Sequence, residues 1–375
     1  MKNKKILIPL LLILLAVIIV GIITYPKKKE PEVIKIGAIL PLTGPVSMAG
    51  EWLKNGIELA VEEINKSGGV NGKKIEIVYG DSKNDAKEGV FLLNKMISLD
   101  RVAVVISAMS GVVSPMVDVV HRHKVVLFAT LTTLPGLTDR SEWVFRYHVS
   151  GEEEAKTMAE FAYRELNLKD IGILFINDEF GVEVGRIFKQ YFEELGGKIV
   201  IMESFEKEKI DFRPVLQKIK KISPSSIYIL GYEKPLGLII KQARELKINS
   251  TILSINALGL PKTLEIAGNA AEDAYCTVPY FTLDSPQENI QRFVKNYFLK
   301  FHSSPNFVSA EAYDMIYLLL EAMKKYGYTP DEIRRGLLNI KNFRGLMGVA
   351  NSLPNGEIIF PVTIRKIQKG TLVKP

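Results

Sequence analysis

Short β-branched runs recur along this chain, separated by amphipathic stretches, and that alternation restricts the fold more than any other feature. Residues 33–40 (VIKIGAIL), 102–107, 125–129, 171–176, 226–230 and 251–255 are dominated by apolar, largely β-branched side chains, as strands are when both faces of a sheet are covered. Between the first of these runs and the next, Leu53, Ile57, Ala60, Val61 and Ile64 fall on one helical stripe, and Ser67-Gly68-Gly69 ends it. Further helical stripes cover 85–99, 151–165, 181–195, 211–221 and 234–247. Strand and helix alternating this often predict an α/β fold of parallel sheets with helices on both faces. The number of strands exceeds one modest sheet, so two lobes are expected.

Ser150 and Glu153 form a capping box directly after the extended 143–149 segment, which places the start of the second lobe near 150. Beyond about Pro279 longer helices are expected, near 286–302 and 306–326. Thr329-Pro330-Asp331-Glu332 then supplies cap, first-turn proline and box glutamate for another. From Gly356 the alternation of Ile358, Phe360, Val362 and Ile364 reads as a terminal hairpin or pair of strands. A single cysteine, Cys276, rules out an internal disulfide and any Cys-based zinc site, so the hydrophobic core must hold the fold by itself.

The formal charge of +7 does not imply a nucleic-acid partner. Of the 49 lysines and arginines, six (Lys2, Lys4, Lys5, Lys27, Lys28, Lys29) lie in residues 1–29, where no acid occurs, which leaves 43 bases against 42 acids. The two lysine clusters bracket an uncharged run, residues 6–24, interrupted only by Pro9. It is about the length needed to span a bilayer and longer than the core of a typical cleaved signal. The expectation is an uncleaved membrane anchor, with residues 1–32 as anchor and linker. The alternative is a long export signal cut near Thr24 to Pro26. Either route puts residues 33–375 outside the cytoplasm.

Catalytic motifs do not emerge. Ser110-Gly111 lacks the upstream glycine of a nucleophile elbow, and no GxGxxG follows a strand. The stretch 69–74 has a lysine where a phosphate loop needs Ser or Thr. His121-Arg122-His123 reads as a positively charged surface turn, not a metal site. The expectation is a non-enzyme with no metal or cofactor. Polar and small residues instead collect just after the expected strands: Ser110 and Gly111, Thr132 and Thr133, Asn177-Asp178-Glu179-Phe180-Gly181, Tyr232, and Asn256. In open α/β sheets ligands bind outside the carboxyl ends of the strands, where helix N-termini offer free N–H donors. Two lobes facing each other this way would enclose a cleft.

The chain resembles the substrate-binding proteins of branched-chain amino-acid ABC transporters, of type I periplasmic binding fold, from about Ile34 to the C-terminus. The residues that carry the likeness are 36–44 (IGAILPLTG), the 56–64 helix with 65–72 (NKSGGVNG), 177–181 (NDEFG), and Asp211-Phe212 before a helix. The resemblance implies two Rossmann-like lobes joined by three crossover strands near 149, 279 and 346. Lobe one would comprise 33–149 plus 280–345, and lobe two 150–279 plus 346–375. It implies that Ser110 and Thr133 hold a ligand carboxylate, beside Thr132 and a backbone carbonyl near Leu131, with Phe180 and Tyr232 as aromatic walls. Asn256 stands where an acid would meet a ligand ammonium, so the expected ligand either lacks an α-ammonium or finds its counter-charge in Asp178 or Glu233. The implied function is capture of a small amino acid or related carboxylate for delivery to an ABC permease. The alternative is a sensor that signals to a membrane partner.

Overall fold

The computed structural model describes residues 33–283 and 285–375, so the anchor expected over 6–24 lies outside the described residues. Among the described residues no helix is long and apolar enough to cross a membrane.

The first lobe is a five-stranded parallel sheet in the order β2-β1-β3-β4-β5, built from β1 (Val33–Leu40), β2 (Lys74–Asp81), β3 (Val104–Ala108), β4 (Val126–Thr130) and β5 (Val144–Arg146). Helices α1 (Ser47–Lys66), α2 (Ala86–Lys95) and α3 (Ser110–His123) connect the strands. The second lobe repeats the pattern with β6 (Asp170–Ile176), β7 (Lys198–Phe205), β8 (Ser226–Leu230), β9 (Thr251–Ser254) and β10 (Tyr275–Pro279), parallel in the order β7-β6-β8-β9-β10. Its helices are α4 (Gly151–Glu160), α5 (Glu179–Glu194), α6 (Arg213–Ile222), α7 (Glu233–Glu245) and α8 (Pro261–Ala267). In both lobes the chain reverses direction across the sheet beside the first strand, between β1 and β3 and between β6 and β8. Such a switch point opens a crevice at the strand ends. The central strands β3, β4 and β8 are buried along their full length. That explains their largely apolar, uncharged sequence.

After β10 come α9 (Glu288–Phe301), α10 (Phe307–Tyr326) and α11 (Pro330–Leu338), which pack on the first lobe. Thr329 and Glu332 cap each other as a full box, whereas at Ser150 only half of the expected box forms, its hydroxyl accepting from the Glu153 N–H at 3.1 Å. A small antiparallel sheet of β11 (Phe343–Gly345), β12 (Gly348–Ser352) and β13 (Ile358–Ile359) follows. The terminal hairpin, β14 (Val362–Gln368) and β15 (Thr371–Val373), adds to the second sheet beside β10.

Two separate cores result. One runs from Ile34 to Val149 and from Phe281 to Phe360, the other from Ala155 to Val278 and on to Ile367. The chain therefore passes between lobes near 150 and 280, and a third time near 361. The third crossing differs from the expected position near 346, because Leu346, Met347, Ala350, Ile358 and Phe360 all belong to the first core. Asp314 on α10 holds the segment there by accepting from the Leu346 and Met347 N–H groups at 2.9 and 3.0 Å.

Candidate functional site

The first crossing segment is fixed to lobe one by three consecutive side chains, each on a different acid. Arg146 donates to both Glu357 oxygens, at 2.9 and 2.8 Å. The Tyr147 hydroxyl donates to Asp314 at 2.9 Å, and His148 Nδ1 lies 2.7 Å from Glu311. All but Glu357 are buried, and burial pushes the Asp314 carboxyl up to about 7 and the Glu311 carboxyl above its usual range. None of these partnerships was visible in the sequence. Arg146 also donates from Nη1 to the Thr132 and Leu134 carbonyls, at 3.2 and 2.6 Å. It thereby grips the loop after β4 on both sides of Thr133.

That loop and the loop after β3 lie side by side at the carboxyl ends of neighbouring strands. Ser110 begins α3 directly after Met109, a non-glycine residue at φ +74°, and Leu131 follows β4 at φ +46°. Both strand ends thus carry sparsely populated backbone geometry, which persists where surrounding contacts enforce it. Ser110 Oγ lies 2.9 Å from Thr132 Oγ1, so Thr132 meets Ser110 directly. Thr132 is fully buried, Thr133 half-buried. The Thr133 carbonyl accepts from the Gly151 N–H at 3.1 Å, which ties this loop to the start of α4.

In lobe two, Asp178 caps α5 by accepting from the Gly181 N–H at 2.8 Å, while its other oxygen accepts from the Tyr232 hydroxyl at 3.0 Å. The Tyr232 ring stacks on Phe180, with centroids 5.7 Å apart and planes 28° apart. Asp178, Phe180 and Tyr232 are thus one unit. Glu233, in the first turn of α7, is half-buried, and desolvation raises its carboxyl pKa. Asn256 opens the turn after β9 with 9% exposure. Its backbone N–H donates to Glu154 Oε1 at 2.9 Å, and its side-chain nitrogen is buried without a partner.

Gly151 is where the loop after β4 comes closest to α5. A Cβ there would lie 3.0 Å from the Thr133 carbonyl oxygen, 2.4 Å from Val184 and 3.5 Å from the Phe180 ring. Beside this contact a groove of about 720 Å³ runs between Leu134, Pro135 and Asp139 of lobe one and Asp178, Val182 and Arg186 of α5. Among the described residues no cluster of His, Cys, Asp and Glu could hold a metal ion. His121 instead contacts Ser141 at 3.1 Å.

Two α/β lobes with separate cores, joined by three crossings and with a groove between them, are the architecture of a two-lobed solute-binding protein. The chain belongs to the periplasmic binding protein family, whose model matches residues 33–371. A leucine-, isoleucine-, valine-, threonine- and alanine-binding protein of Pseudomonas aeruginosa is 25% identical over 324 residues, 86% of each chain. The Leu/Ile/Val-binding protein BraC3 of Rhizobium johnstonii is 32% identical over 241 residues, 64% of this chain and 65% of that one. Among solved structures, a leucine-binding protein LivK of Thermotoga maritima superposes with TM-score 0.83 at 27% identity, covering 91% of this chain and 97% of that one. The branched-chain amino-acid transporter substrate-binding protein LivJ of Streptococcus pneumoniae, in complex with isoleucine, gives 0.82 at 25%, covering 92% and 100%.

Proposed function

We propose that this protein captures a small amino acid or related carboxylate between its lobes and presents it to an ABC importer at the outer face of a membrane. The observation that carries the reading is the convergence at Gly151. There the Ser110–Thr132–Thr133 loops, rich in hydroxyl groups and at the N-terminus of α3, approach the Phe180–Tyr232 aromatic pair. Hydroxyls and first-turn N–H groups suit a carboxylate, and stacked rings suit an apolar side chain. The relatives named above, which bind branched-chain amino acids, support the same ligand class.

In this reading Ser110 and Thr133 donate to the carboxylate. Charge-assisted hydrogen bonds contribute on the order of 1.5–3 kcal/mol each, so Thr133→Ala should weaken leucine binding about tenfold or more. Calorimetry checks this, and the ligand-free protein should melt where the wild type does. Unchanged affinity would place the ligand elsewhere.

The uncharged run 6–24 supports retention of the N-terminus as a membrane anchor. Mass analysis of protein taken from membranes should therefore find the chain intact, and a mature N-terminus between Thr24 and Val33 would exclude the anchor.

A further inference from the structure

Glu154 is buried completely, and the sequence gives no hint of its role, because it ends a run of three acids (Glu152, Glu153, Glu154) in the first turn of α4. Acids there ordinarily face solvent and complement the helix dipole. Glu154 instead points into lobe two. Its Oε1 accepts from the Asn256 N–H at 2.9 Å and from the Thr277 hydroxyl at 2.6 Å, while Oε2 has no partner. Among the described residues no lysine or arginine forms an ion pair with it. An ionised carboxylate in such a place is costly, so the group either takes up a proton or meets a positive charge brought from elsewhere.

Its position is informative. One turn earlier on the same helix, the Gly151 N–H is bonded to the Thr133 carbonyl. The first turn of α4 therefore joins the hydroxyl-bearing loop of lobe one to Asn256 of lobe two, and Glu154 sits at the Asn256 end. Of the other acids nearby, Asp178 has both oxygens in use, whereas Glu233, in the first turn of α7, is only half-buried and so remains hydrated where Glu154 is not.

We propose that Glu154, acting through Asn256, is the positioning charge that makes this cleft select a ligand with a cationic amine beside its carboxylate. The inference rests on the amino-acid or carboxylate reading above and specifies which of the two. The Glu154 carboxyl is raised to about 7, by burial first, with the Thr277 and Asn256 hydrogen bonds and His148 opposing. The other ionisable groups within its influence are Tyr228 on β8 and Cys276 on β10, both neutral at this pH. A cationic ligand stabilises the ionised form of Glu154, so affinity for such a ligand must rise with pH through about 7. A ligand without the amine gains nothing from that ionisation and is repelled by it.

The test titrates leucine and its 2-hydroxy analogue against the full chain from pH 6 to pH 8. For the wild type, leucine affinity should rise about tenfold across this range, following the ionised fraction of a group titrating near 7. Affinity for the hydroxy acid should stay flat or fall. Glu154→Gln keeps an acceptor for Asn256 and Thr277 but carries no charge. It should lose the leucine pH profile and about tenfold or more of leucine affinity at pH 8, and leave hydroxy-acid affinity unchanged or improved. Thr277→Val removes one donor to the ionised form and should shift the midpoint of the leucine profile upward. Equal weakening of both ligands in Glu154→Gln, a wild-type leucine profile in that variant, or an unmoved midpoint in Thr277→Val would overturn the inference. A wild type that binds the hydroxy acid as well as leucine at pH 8 would overturn it too, while leaving carboxylate capture intact. Binding of neither compound would overturn both readings.

Discussion

Replacing Arg146 by alanine should destabilise the protein by about 3–5 kcal/mol, the cost typical of removing one partner from a buried ion pair. Arg146 is 2% exposed and Glu357 only slightly more open, so water cannot replace the lost guanidinium. Glu357 would keep only the Thr138 hydroxyl, 2.7 Å from Oε1. The Thr132 and Leu134 carbonyls would lose their donor as well. Urea denaturation measures the loss directly. Ligand affinity should fall too, because the loop bearing Thr133 would no longer be gripped on both sides. A loss below about 1 kcal/mol would mean that the pair merely offsets its own desolvation. The double variant Arg146→Met with Glu357→Leu separates the two effects. It should recover much of the stability, since apolar replacements of buried pairs often do, without recovering the grip on the loop.

The second large effect is expected at Gly56. This residue lies where α1 crosses α10, and an added Cβ would sit 2.2 Å from the Ser309 carbonyl oxygen and 3.1 Å from the Ala312 Cβ. The obstacle is backbone, which cannot rotate away, so the two helices must separate. Overpacking of this kind costs about 1–3 kcal/mol, and a rigid obstacle argues for the upper end. Alanine's better helix propensity returns at most about 1 kcal/mol. Gly56→Ala should therefore be a net loss of about 2 kcal/mol, read as a lower denaturation midpoint. A stabilised variant would show that the helices can part freely.

The sequence revealed some parts of the molecule readily because those parts follow local rules. Strands covered on both faces, such as β3, β4 and β8, are predominantly apolar and carry no charge, so they show themselves as runs rather than alternations. The edge strands β2 and β7 were missed, because half-exposed strands keep lysine and glutamate among their apolar residues, as in Lys74–Asp81 with its mixed burial. Helix starts at Ser150 and Thr329 were legible since each cap and its partner lie three residues apart. The residues after the strands, Ser110, Thr132, Asp178, Tyr232 and Asn256, could be singled out because any α/β sheet presents its strand ends to a crevice. What joins them could not. Arg146 meets Glu357 across 211 positions and Glu154 meets Asn256 across 102, and no local pattern encodes either encounter. The apolar alternation around Ile358 and Phe360 suggested strands correctly but carried no information on which lobe would receive them.

The three crossings also bear on how such a chain can come into being. Each lobe takes its last core residues from the final stretch of sequence, Ile358 and Phe360 for the first lobe and Ile367 for the second. A chain still emerging from a ribosome or a secretion pore thus holds two incomplete cores at once, and both close within a few residues of each other. Completion of both cores therefore waits on the arrival of the same short segment.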